Sequence, residues 1–164
     1  MSSLVLAQFN QAESGRVSAM LTACLDVPRW VASVLAGRPY ADVDALLSAS
    51  RAAMPLRPEE IHQAMAAHPR IGEKASGGSS SANWSRSEQS GVDGSAAETF
   101  TEVNAEYERR FGYIYLVCAS GRRGEELLDD LRSRLGNDAA TELEIAGREL
   151  AKIAKLRLKK AVRP

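Results

Sequence analysis

Apolar residues recur at intervals of three and four along most of this chain, which commits it to amphipathic helices that must bury one face. In GRVSAMLTACL the stripe is Val17, Met20, Leu21 and Cys24. Pro28 suits the first turn of a second helix, which carries Trp30 and Val34. In RPEEIHQAMAA, Pro58 opens the helix, Glu59 and Glu60 sit at the positive end of its dipole, and Ile61, Ala64 and Met65 form the apolar face. Phe100, Val103, Tyr107 and Phe111 share a face between about Ser95 and Phe111. GEELLDDLRSRL reads as a short helix, and the last long one runs from about Asp138 to Lys160.

Two stretches break the pattern. SGGSSSAN, residues 76–83, is a Gly/Ser-rich loop, short enough to be a mobile flap instead of a domain linker. YIYLVCAS, residues 113–120, is an apolar run that could be a strand, but no second strand candidate exists to pair with it. It is expected to be a buried irregular segment. The expected fold is therefore all-α, a compact helical bundle, and 164 residues suit one domain spanning 1–164 better than two.

Charge excludes some functions. Lys+Arg and Asp+Glu balance at 21 each, so no global field draws the chain to nucleic acid or a membrane surface, and an anionic ligand would need a local arginine. No stretch is long and apolar enough to span a bilayer, MSSLVLAQ lacks the basic start of a signal peptide, and AVRP is not a peroxisomal address. Cys24 and Cys118 form no C-x-x-C or disulfide framework, which points to a reducing cytoplasm, and Cys118 in its apolar run is expected to be a buried, inert thiol.

Three polar positions stand out. His68, in HPRIGEK, continues the stripe of Ile61, Ala64 and Met65, and Pro69 stops the helix there. Carbonyls at a helix end favour the protonated imidazole, so His68 reads either as a helix-end detail or as an acid–base centre. His62 falls on the polar flank. Ser85 and Glu88 in SRSEQ have the spacing of a capping box, which would also leave N–H groups free for a carboxylate or urea carbonyl. Arg157 lies on the stripe of Leu143, Ala146, Leu150 and Ile153, and either points inward to an anionic partner or snorkels out. Phosphate-loop, dinucleotide, zinc-protease and nucleophile-elbow motifs are absent. What the residues themselves support is a cofactor-free acid–base site built from His68 and Glu88, with Arg157 as a candidate third member.

FN at 9–10, RW at 29–30, RPY at 38–40, HPRIGEK at 68–74, SSSANWSRSEQSGV at 79–92, NAEYERRFGYIYLVCASGR at 104–122 and ELAKIAKLRLKK at 149–160 follow one another in a specific order. Together they resemble the 2-oxo-4-hydroxy-4-carboxy-5-ureidoimidazoline (OHCU) decarboxylase family nearly end to end. The resemblance implies an all-helical, cofactor-free homodimer, without a metal, that performs the last step of urate conversion to (S)-allantoin. It implies that His68 and Glu88 are catalytic, and that Pro69, Ser85, Arg86, Ser87, Glu88, Gln89, Tyr115, Leu116, Val117, Cys118, Ala119 and Arg157 contact the small-molecule substrate. CASGRR departs from the shorter turn of some members, so Ser120 to Arg122 are assigned no role. Two other readings compete with this one. The first is an enzyme of the same shape acting as hydrolase or isomerase on a related ureido compound; the second is a non-catalytic helical binding module. A thiol peroxidase is weaker, since Cys118 has no resolving cysteine nearby.

Overall fold

The helical stripes become helices. A computed structural model describes residues 3–73, 80–92 and 97–164, and its chain divides into two compact units. One contains residues up to Ala64 together with Leu150–Pro164; the other is Met65–Glu149.

The first unit contains β1 (Leu4–Val5), α1 (Leu6–Gln11), α2 (Ser14–Cys24), α3 (Pro28–Ala36) and α4 (Val43–Ala52). It also holds most of α5 (Pro58–Met65), the end of α9 (Ala139–Ala161) and β2 (Val162–Arg163). Val17, Met20, Leu21 and Cys24 are all buried, as their spacing predicts. Trp30 is fully buried on α3, and its indole N–H donates to Ser50 Oγ at 3.2 Å, which spares the core an unpaired donor. The sequence reading did not anticipate α4; its start is fixed by Asp42, whose carboxylate accepts the Ala45 N–H at 2.7 Å. A two-residue parallel pairing of β1 with β2, Leu4 opposite Val162, is the strand content among the described residues.

Three of the short sequence motifs are joints within this unit. Asn10 and Tyr40 exchange two bonds, Asn10 Nδ2 donating to the Tyr40 carbonyl at 2.9 Å and the Tyr40 N–H to Asn10 Oδ1 at 2.8 Å. Arg38 Nη1 donates to the carbonyls of Phe9 and Ala12, both at 2.8 Å, at the C-terminal end of α1. Arg29 grips Glu60 with two parallel bonds of 2.8 and 2.9 Å and donates to the Ala53 carbonyl. The hydrogen bond from Arg29 holds the Glu60 carboxyl below the usual carboxylate range. The pair therefore contributes stability at neutral pH and loses it as pH falls through the lowered folded-state value.

The second unit carries α6 (Ser80–Glu88), α7 (Ala97–Phe111), α8 (Gly124–Arg134) and the first part of α9. Ile71, Phe100, Val103, Tyr107, Tyr115, Val117, Ala119, Leu127 and Leu131 form its apolar core. Residues 113–120 belong to no helix or strand, yet Tyr115, Leu116, Val117 and Ala119 are buried, as expected of an irregular core segment. Cys118 departs from expectation: it is half-exposed, because its neighbours take the buried positions. The loop expected at 76–83 is not found at Ser80–Asn83, which belong to α6; residues 76–79 lie outside the described residues.

A buried ion pair sits at the centre of this unit. Arg134 Nε donates to Glu142 Oε1 at 2.6 Å. Arg134 Nη2 is as close to that oxygen but too far off axis to make a second hydrogen bond. Tyr107 Oη donates to the same oxygen at 2.5 Å, and Asn137 Nδ2 to Glu142 Oε2 at 3.1 Å. Burial, and then the hydrogen bond to Glu142, raise the Tyr107 phenol's pKa, so it remains a donor. Glu142 is fully buried and Arg134 nearly so, and each relies on the other for compensation. Glu142→Leu is expected to lower unfolding free energy by roughly 3–5 kcal/mol in urea titrations, because it strands a buried guanidinium. The double change Arg134→Met with Glu142→Leu should recover much of that loss.

Candidate active site

The turn after α5 is built from HPRIGE. The helix ends at Met65, three residues before the end expected at His68, and the His68 N–H donates to the Met65 carbonyl at 3.0 Å. Pro69 bars helical geometry at His68, so the last residues tighten into a turn with i to i+3 bonding. His68 and Pro69 are half-buried, while His62 is exposed. Ile71 drops into the core, and its carbonyl accepts Asn104 Nδ2 at 3.0 Å. Gly72 has φ +89°, a conformation that favours glycine, and an added Cβ would also sit tightly, 3.3 Å from Phe100 Cβ. Arg70 reaches Glu108 on α7 through Nε at 2.9 Å and Nη2 at 2.8 Å.

A second segment comes from α6. Ser85 and Glu88 were expected at a helix start; the structure puts Ser85 mid-helix and Glu88 at the C-terminal end. The capping-box reading fails because α6 already begins at Ser80, and with it fails the idea that free N–H groups at Ser85 bind a carboxylate. Ala82, Ser85 and Glu88 recur every three residues and are buried, whereas Arg86 and Ser87 are exposed, with the Arg86 guanidinium on the Asn83 side chain.

Gln89 joins the two segments. Its Oε1 accepts the Gly72 N–H at 3.0 Å and its Nε2 donates to the Arg70 carbonyl at 3.3 Å, so one side chain satisfies both faces of the turn. This clasp ties the turn that carries His68 to the end of the helix that carries Glu88. The sequence reading placed Gln89 among substrate contacts; the structure shows its amide engaged with backbone.

The third segment is 115–119. Tyr115 Oη donates to Asp130 Oδ2 at 2.5 Å, and burial, followed by that hydrogen bond, raises its pKa and keeps it protonated. Val117 and Ala119 share the apolar cluster of Ile71 and Phe100, so this segment and the His68 turn pack on one core. The Gly124 N–H donates to the Gly91 carbonyl at 3.3 Å, binding the turn after α6 to the start of α8. The second unit thus gathers three of the expected stretches. Arg157 belongs to the first unit, where it is buried and its Nη1 donates to the Ala23 carbonyl at 2.9 Å; the inward orientation is the one observed.

A cleft of about 430 Å³ opens beside the turn, bounded by Arg70, Gly72, Glu73, Thr101, Asn104 and Glu108. Among the described residues, no group of three or more histidine, cysteine and carboxylate side chains is placed to hold a metal ion. The supporting residues Asn104, Glu108, Arg134 and Glu149 escaped the sequence reading. The signal available for Asn104 was its place at the head of NAEYERRFGYIY.

The family model described as OHCU decarboxylase matches residues 10–159. The chain is 41% identical over 104 residues to the uric acid degradation bifunctional protein TTL of Arabidopsis thaliana, covering 60% of this chain and 32% of that protein, about a third of its length. It is 34% identical over 140 residues to the 2-oxo-4-hydroxy-4-carboxy-5-ureidoimidazoline decarboxylase of Amia calva, covering 80% of this chain and 78% of the relative. A crystal structure of OHCU decarboxylase in the presence of (S)-allantoin superposes with a TM-score of 0.71 at 27% identity, covering 91% of this chain and 97% of that one.

The clasp makes a prediction independent of activity. Gln89→Ala removes both bonds to the turn, each worth on the order of 1 kcal/mol. Amide exchange of a peptide containing residues 70–73 should accelerate about tenfold, read by mass spectrometry, while peptides of α8 remain unchanged.

Proposed function

The chain belongs to the OHCU decarboxylase family, and from that premise we infer that it is a carboxy-lyase acting on 2-oxo-4-hydroxy-4-carboxy-5-ureidoimidazoline. The products are carbon dioxide and (S)-allantoin, which ends the oxidation of urate to allantoin. Residues 1–164 act as one domain in a cytoplasmic homodimer, with a small molecule as substrate. Among the described residues, no helix is long and apolar enough to cross a membrane.

The observation that best supports a site at His68 and Glu88 is the Gln89 clasp, which ties their segments together. The chemistry suits such a site. The departing carboxylate sits on a carbon that bears a hydroxyl and adjoins a C=N bond. When the bond to carbon dioxide breaks, its electron pair forms a C=C bond and the imine electrons move onto nitrogen, which takes up a proton. The resulting enol then ketonises: the hydroxyl proton leaves, and a proton is added to one face of the carbon that carries the ureido group. The substrate supplies its own electron sink, so the protein's task is orientation and proton transfer.

In this reading His68 engages the carboxylate and hydroxyl region and manages the proton. Glu88 accepts from the hydroxyl or from the ureido N–H groups, and Ser85, on the same helix face, adds a hydroxyl. Backbone groups within 115–119 read the amide edge of the ring. Glu88 is buried, and burial suits this work, because a low local dielectric strengthens hydrogen bonds to a substrate.

The test generates the substrate from urate with urate oxidase and hydroxyisourate hydrolase and follows the circular dichroism of the allantoin formed. Spontaneous decay gives racemic product, so the signal must be one enantiomer. Wild-type protein should yield (S)-allantoin rapidly. His68→Ala should lose the stereoselective rate by about 10²–10⁴-fold, the usual worth of a positioned acid–base group, with an unchanged melting temperature. Racemic product at the spontaneous rate from folded wild-type protein would overturn the function; wild-type-like turnover by His68→Ala would overturn the role of the histidine.

A further inference from the structure

An irregular segment in a core poses a problem that helices and sheets solve automatically: its peptide groups need partners. Residues 113–120 have no ladder or helical turn to supply them. Two charged side chains from different helices fill the gap. Arg134 Nη1, from the end of α8, donates to the Leu116 carbonyl at 2.7 Å. Glu149 Oε1, from α9, accepts the Cys118 N–H at 3.1 Å. Both side chains belong to largely buried residues, Arg134 at 4% exposure and Glu149 at 7%.

The two grips fall on either side of Val117. The Arg134 grip is rigid at its far end, because the guanidinium is fixed by Glu142 and lies 4.7 Å from the centre of the Tyr115 ring. Among the described residues, the N–H and C=O of Val117 make no hydrogen bond, although Val117 itself is buried. The peptide groups on both sides of Val117 are thus anchored, and its own donor and acceptor are held at a set place and angle.

We propose that Glu149 and Arg134 are positioning residues, which fix the 116–118 backbone so that it meets the substrate in one conformation. The proposal rests on the reading above, in which 115–119 contacts the substrate. Neither side chain is assigned a contact with the reacting atoms; both act through the backbone they hold. Their contribution is preorganisation, since a segment already ordered loses less freedom when ligand binds.

Glu149 provides the cleaner test, because Arg134 also supports the core. Glu149→Gln keeps an oxygen for the Cys118 N–H, and Glu149→Leu removes it. Steady-state kcat and KM for (S)-allantoin formation, together with amide exchange of a peptide spanning 115–120, are measured for wild type and both variants. Glu149→Leu should raise KM about tenfold, the worth of one such hydrogen bond, with kcat within about threefold and faster exchange in that peptide. Glu149→Gln should restore both readouts to within about twofold of wild type. Unchanged KM in Glu149→Leu would overturn the proposal even if exchange rose, and so would equal impairment of the two variants. An inactive wild-type protein would instead overturn the function itself, so the two failures are distinct.

Discussion

The buried pair of Arg134 and Glu142 is the constraint on which the second unit depends. Two charges taken out of water must be compensated locally, and each hydrogen bond in the cluster answers that demand. Glu142 draws in Tyr107, Asn137 and Arg134; Arg134 in turn lies over Tyr115 and holds the Leu116 carbonyl. The network thereby fixes helices α7, α8 and α9 to the irregular segment they surround. An apolar replacement of comparable shape could match its stability, but it could not donate to the carbonyl of Leu116. The charge is retained where a peptide group needs a partner that neither a helix nor a sheet provides.

The same solution recurs at the turn after α5. Asn104 satisfies the Ile71 carbonyl, Gln89 satisfies Arg70 and Gly72, and Glu108 neutralises the Arg70 side chain. Helices supply rigid positions, and their side chains then order the non-helical backbone between them. Such a turn follows the helices that hold it. The rotamer of Gln89, with both ends of its amide engaged, therefore bears on where the His68 turn sits relative to α6.

Much of this was legible in the sequence, and the parts that were not have physical reasons. Stripes of large apolar residues located α2, α3, α5, α7, α8 and α9, because burial of one face at 3.6-residue spacing leaves an unambiguous pattern. The helix α6 was misread because its inward face is Ala82, Ser85 and Glu88, a stripe of small and polar residues that looks like loop composition. Reading FN, RW and RPY as family motifs did not reveal what they do. The structure gives them a mechanical use: Asn10 bonds Tyr40, Arg38 bonds the end of α1, and Arg29 bonds Glu60. Long-range side-chain bonds of this kind leave no periodic trace, since their partners lie some thirty residues apart.

The helical phase of α6 also divides the SRSEQ stretch by physical role. A helix that buries serine and glutamate where leucine would stabilise it breaks the local rule that makes helices pack, and it forgoes the apolar area that would otherwise anchor it. The side chains at 86 and 87 are exposed and lie off the buried face of Glu88. Gln89 is committed to the turn. Within SRSEQ, Ser85 and Glu88 are thus the pair whose side chains share one buried face, three residues and less than one helical turn apart.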